Sequence, residues 1–159
     1  MIQRIQTLWL LAAIIILCII SFSGNFFIYV TDIAFYNFDA NGITQKTLDN
    51  KEVMSITAYP IYFATLGMAV FAMFIIFSYK NLKRQYTYAK FLWGLYIFSL
   101  FAIVTWNYYI AGNQVDGKIL RSNFGANFYL MVIGLPLVHL AMVNIGKDKN
   151  KIDSLNRLR

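Results

Sequence analysis

The sequence predicts an all-α integral membrane fold, a four-transmembrane-helix antiparallel bundle with a small β-rich outer cap. Three observations carry this. Apolar residues make up 59% of the 159 residues and charged residues only 13%, against roughly 25% charged in a soluble domain. The apolar residues concentrate in four long runs. The basic residues concentrate in alternate connections between those runs.

A chain of this length has room for one domain. The runs cover residues 5–22, 60–79, 91–110 and 127–145, each close to the ~20 residues that cross a hydrocarbon core about 30 Å thick. Backbone amides find no water there, so each run is expected to be helical. The first is uninterrupted from Leu8 to Ile20. Arg4 before it and Ser21-Phe22-Ser23-Gly24 after it also suit a secretory signal, but a single arginine makes a poor positive region and a retained span is expected.

Charge sets the expected orientation. With four spans, residues 1–4, the connection 80–90 and the tail 146–159 share one side, and that side carries ten of the fourteen lysines and arginines. The loops 25–58 and 111–125 carry Lys46, Lys51, Lys118 and Arg121 beside Asp32, Asp39, Asp49, Glu52 and Asp116. The positive-inside bias therefore predicts cytoplasmic termini and an inner-membrane protein. The net charge of +7 follows from that sorting, so nucleic acid is not an expected partner. Tyr59, Tyr62, Trp106, Tyr108 and Tyr109 near one end, and Tyr79, Tyr86 and Tyr88 near the other, suit interfacial anchoring.

In the first outer loop, Phe26 to Thr31 and Ile33 to Phe38 are rich in β-branched and aromatic residues, and Asp39-Ala40-Asn41-Gly42 supplies a turn. A strand pair around that turn is expected. A hairpin alone is marginal in water, so its apolar face should rest either on its own bundle or on a partner, with Phe35 and Phe38 as possible partner contacts. Asp116-Gly117 in the second outer loop suits a further hairpin able to pair with the first loop. Neither loop contains cysteine.

The opening Met1-Ile2-Gln3-Arg4-Ile5-Gln6 and the close, with Lys147-Asp148, Ser154 and Arg157-Leu158-Arg159, resemble an uncharacterised four-span membrane family of Bacteroidota, domain-of-unknown-function family 4293. Length and span spacing resemble it as well. The chain departs from that pattern at Asn156 and at Met142-Val143-Asn144. The resemblance implies four helices and an inner-membrane location, and it implies no activity.

In the tail, Asp148, Ile152, Leu155 and Arg159 follow helical spacing, so a helix should continue past Gly146. It could lie on anionic headgroups, dock a partner through Arg157, Leu158 and Arg159, or serve only as a positive topology signal. At the other terminus, Gln3 and Gln6 should point away from the Ile2–Ile5 face, towards a neighbouring connection or the tail. His139 is the one ionisable group expected within a span, where such groups are a default functional hypothesis. One imidazole makes neither a proton relay nor a metal site. A hydrogen-bonded histidine near Asn107, Thr105 or Ser99 is the plainer expectation, leaving His139 and Asn107 as a possible intramembrane polar site. Cys18 is a lone thiol and cannot perform disulfide exchange. Nothing in the sequence matches a catalytic, metal or cofactor set.

These observations favour a non-enzymatic accessory or scaffolding subunit of a membrane assembly, associated with a membrane-protein partner or as a homo-oligomer. The alternative is a small transporter or channel formed by oligomerisation. A lipid- or quinone-using enzyme would need acid–base pairs that the spans lack.

Overall fold

The structure, a computed structural model, describes residues 3–47, 52–56, 61–113, 115 and 117–157. It is mostly helical, with four helices long and apolar enough to cross a membrane and one antiparallel sheet. The helices are α1 (Gln3–Phe22), α2 (Ile61–Phe77), α3 (Leu82–Asn113) and α4 (Ala126–Arg157). The strands are β1 (Asn25–Thr31), β2 (Ala34–Asp39), β3 (Ile43–Thr47), β4 (Glu52–Ile56) and β5 (Ile119–Phe124).

Successive helices run antiparallel around a ring in which α2 and α3 touch least. The core is a narrow axial stripe formed by Leu10, Ala13, Leu17 and Ile20 of α1, Ala72 and Ile75 of α2, Leu92 and Tyr96 of α3, and Met131, Ala141 and Ile145 of α4. The outward faces are apolar too. Leu8, Ile15 and Phe22 are exposed on α1, Phe63, Val70 and Phe77 on α2, and Phe91, Phe98 and Phe101 on α3. Helices apolar all round need an apolar surrounding, which makes this a candidate multi-pass membrane protein.

Helix ends extend past the apolar runs. The connection expected over 80–90 shrinks to a 3-10 turn, Ser78–Lys80, and Asn81. Asn81 is non-helical and its Oδ1 accepts a hydrogen bond from the Arg84 amide at 3.2 Å, the geometry of an N-cap. Polar residues end the hydrophobic run there, but Lys, Arg and Gln are good helix formers and the helix persists. With 32 residues each, α3 and α4 are about 48 Å long. Both exceed the hydrocarbon thickness, and α4 carries the continuation expected beyond Gly146.

The sheet covers the end of the bundle opposite the termini, in the order β4-β3-β2-β1-β5. The expected pair around Asn41-Gly42 is β2–β3, with Phe38 opposite Ile43. Asp39 Oδ1 accepts from the Asn41 and Gly42 amides at 2.7 and 2.9 Å and fixes that turn. Among the described residues the second outer loop supplies one strand, and Gln114 and Asp116 of the expected hairpin lie outside them. Its β5 pairs antiparallel with β1, Tyr29 facing Ser122. Asp32 Oδ1 accepts from the Lys118 amide at 2.9 Å and so ties the second loop to the β1–β2 turn. Gly117, at φ +89°, must be small there, because a Cβ would lie 2.4 Å from that same carboxylate oxygen.

Strand alternation turns Tyr29, Tyr36, Phe38 and Ile43 towards the helices. A bulge between Asn25 and Phe27 lets both Phe26 and Phe27 be buried. The Tyr62 amide donates to Ala40 O at 3.0 Å, binding α2 to the cap.

Candidate functional site

Polar side chains gather at the two ends of the bundle. At the end holding the termini, Gln6 of α1 is 2% exposed and Asp148 of α4 is 8% exposed. The Gln6 amide Nε2 donates to an Asp148 carboxylate oxygen and, at 3.4 Å, to Asn144 O. The expectation that Gln6 reaches the tail is met here. Beside this pair, α3 and α4 run close together. A Cβ on Gly146 would approach the Tyr86 ring to 2.8 Å, and the ammonium groups of Lys90 and Lys149 lie 4.8 and 5.4 Å from that ring's centroid. These are cation–π distances. Buried Gln85 donates from Nε2 to Ile75 O at 3.1 Å and locks α3 to α2.

Beyond this cluster α4 projects as a basic helix. Ile152 and Leu155 are 46% and 66% exposed on it, and Lys149 approaches Asp153 at 4.0 Å. The side chain of Arg157, together with Leu158 and Arg159, lies outside the described residues.

The model of the family described as Domain of unknown function (DUF4293) matches residues 2–158. The chain belongs to this family. Comparison with curated proteins finds no match. In this member, part of the resemblance resolves into one contact, since Gln6 of the opening segment and Asp148 of the closing one hydrogen bond across 142 positions of sequence.

His139 and Asn107 are not brought together. His139 is exposed on the outer surface of α4, its ring 5.5 Å from that of Trp93. Trp93 stands one turn from Lys90, which places His139 near the terminal end of the span rather than in the bundle interior. Ser99 donates to its own helix at Leu95 O, 2.8 Å away, and lies 3.6 Å from Met68 sulfur, while Thr105 donates within α3.

Asn107 belongs to the sheet end. Its Oδ1 accepts a hydrogen bond from the Tyr29 hydroxyl of β1, joining cap to span. Burial raises the Tyr29 phenol above its ordinary pKa; the bond to Asn107 opposes that and nearby Tyr108 adds to it. Asn107 and Tyr29 line a cleft of roughly 360 Å³ between α3 and the β1–β5 edge. A second cavity, roughly 280 Å³ and almost wholly apolar, opens along the α2–α3 seam beside Thr65, Met68 and Phe98. Thr65 shares a 2.6 Å hydroxyl–hydroxyl hydrogen bond with Ser21 of α1.

The two phenylalanines expected at a partner surface separate by strand alternation. Phe38 is 2% exposed, packed against Phe26 and Phe27 at ring-centroid distances of 6.1 and 6.2 Å, so its ring is taken up by the chain's own core. Phe35 faces away from the helices, half-buried opposite Val30 and Lys46.

Sequence reasoning missed Asn127. It is 1% exposed at the start of α4, and its Nδ2 donates to Ile20 O at 3.1 Å and Gly24 O at 2.9 Å, closing the end of α1. Its place just inside the fourth run was the only available signal. Among the described residues, no three His, Cys, Asp or Glu side chains cluster as a metal site would require.

Proposed function

We propose that this chain is a non-enzymatic subunit of the bacterial inner membrane, with both termini in the cytoplasm, that holds a membrane-protein partner or a second copy through its projecting α4. One observation carries the reading. The helix leaves the apolar run as a basic rod that keeps Ile152 and Leu155 exposed among Lys147, Lys149 and Lys151. A helix needed only as a positive topology signal has no use for large apolar residues spaced to share a face. The surplus of cations at that end supports the cytoplasmic assignment.

The Gln6–Asp148 bond and the Tyr86–Gly146 approach support the same reading. They fix the base of the rod and so lower the ordering cost of docking. Purification of the full chain from its native membrane in mild detergent tests it. A stoichiometric partner or second copy should co-purify with the wild type and be shed by Ile152→Glu/Leu155→Glu at unchanged recovery of the chain. Isolation of a bare monomer from every mild detergent, or an unchanged complex with the double variant, would refute the proposal.

A transport function through an oligomer draws on the α2–α3 cavity, which opens at the loosest seam of the ring. Its hydroxyl groups, Thr65 and Ser99, are already bonded to Ser21 and to helix carbonyls, which leaves that reading the weaker one.

A further inference from the structure

The cleft under the sheet edge has a composition that the docking role does not use. Its walls include four aromatic rings, buried Phe27 and Tyr29 and the more open Tyr108 and Phe124, which are 78% and 55% exposed. Apolar Val104 and Ala111 form its α3 side. Hydrogen-bonding groups come from both elements, Asn107 from α3 and Ser122 and Asn123 from β5.

The Asn107 carbonyl is occupied by the Tyr29 hydroxyl. What the residue has left is the donor side, the two N–H bonds of its amide. Ser122 adds a hydroxyl. No charged side chain is among the described lining residues, so neither a phosphate nor an ammonium group would find a counter-ion inside. The neighbouring cation, Arg121, alternates with Ser122 along the strand and directs its Nε to Asn123 Oδ1 at 3.2 Å.

The volume lies within the ~300–1,000 Å³ of small-molecule sites. The cleft stands where α3 meets the cap, beyond the most apolar part of the span. An amphiphile could enter with its tail along the exposed face at Phe101 and Tyr108 and its head between strand and helix. The exposed rings of Tyr108 and Phe124 favour stacking against another flat ring, and donors without charge favour carbonyl acceptors.

We propose that the cleft between α3 and the β1–β5 edge binds an uncharged quinone-type ring carried on an apolar tail, with Asn107 and Ser122 donating to its carbonyl oxygens and Tyr108 and Phe124 packing on its faces above buried Phe27. The same carbonyl chemistry is present in the ester groups of a neutral glycerolipid, which lacks the flat ring.

Equilibrium dialysis of the full-length protein in detergent against a decyl-tailed benzoquinone distinguishes the two, with a diacylglycerol of matched chain length as competitor. Saturable quinone binding is expected, undisturbed by the diacylglycerol. Ala111→Phe, which fills the cleft, should weaken it roughly tenfold or more, as loss of one large contact surface requires. Ser122→Ala removes one neutral donor with little structural risk and should weaken it about three- to tenfold. Ala64→Phe, which fills the α2–α3 cavity instead, should leave binding unchanged. The proposal fails if quinone binding is not saturable, if the diacylglycerol competes equally, or if Ala64→Phe rather than Ala111→Phe abolishes binding.

Discussion

Asn127 and Tyr96 show how single polar atoms set the packing of the helices. The Asn127 amide bonds one carbonyl in the last turn of α1 and that of Gly24 just beyond it, so Asn127→Ala should cost about 1–3 kcal/mol by leaving buried acceptors unmet. Reversible unfolding in mixed detergent micelles would measure it. Gly134 lets α4 approach Tyr96 so closely that a Cβ there would sit 1.9 Å from the phenol oxygen. Gly134→Ala should destabilise by about 1–3 kcal/mol through overpacking. Tyr96→Phe should recover part of that loss in a double-mutant cycle, because its Cζ would still lie 2.8 Å from the new carbon. Tyr29, raised chiefly by burial, contributes stability that is fully present below the ordinary tyrosine value near 10. That contribution is lost as pH climbs from there through its higher folded value. Denaturation followed between neutral and strongly alkaline pH should therefore show a decline that Tyr29→Phe lessens. Helical phase groups His139 with Val132, Pro136 and Leu140, all exposed, but α4 is apolar on its other faces too, so nothing in the sequence marked this face as the outward one. An ionisable side chain in a span favours the interior by its desolvation cost alone, and here its place near the end of the span relieves that cost.

The elements differ in how plainly the sequence announced them. Span existence follows from apolar runs that no soluble fold could cover, and the β2–β3 turn from Asp39 and Gly42 bonding locally. The extra turns of α3 and α4 beyond the spans were partly hidden, because hydropathy marks where lipid ends and not where helix ends. Pairing of β5 with β1 joins residues some ninety positions apart, and only its turn chemistry was visible beforehand. Ile28 and Asn123 face each other in that pairing, at a separation of about 4.5–5.5 Å between Cα atoms, which a disulfide can span. In a Cys18→Ala background, Ile28→Cys/Asn123→Cys should crosslink under mild oxidation. Ile28→Cys/Arg121→Cys, displaced along the strand, should not, and gel mobility reads the difference.

At the scale of the whole molecule, the ends of the chain are one structural unit. Helical phase turned Gln6 towards a neighbouring connection or the tail, but nothing in the sequence singled out Asp148 as its partner. Their proximity requires that α1 and α4 run antiparallel side by side, which the Asn127 bonds at the opposite end independently require. The orientation proposed for this unit is what a labelling experiment decides. In Cys18→Ala protein carrying either Asn41→Cys on the β2–β3 turn or Ser154→Cys on the α4 projection, both exposed positions, a membrane-impermeant maleimide is applied to intact spheroplasts. The Asn41→Cys thiol should react at once and the Ser154→Cys thiol only after permeabilisation. The reverse pattern, or equal labelling of both before permeabilisation, would contradict a membrane-spanning bundle with its basic end in the cytoplasm.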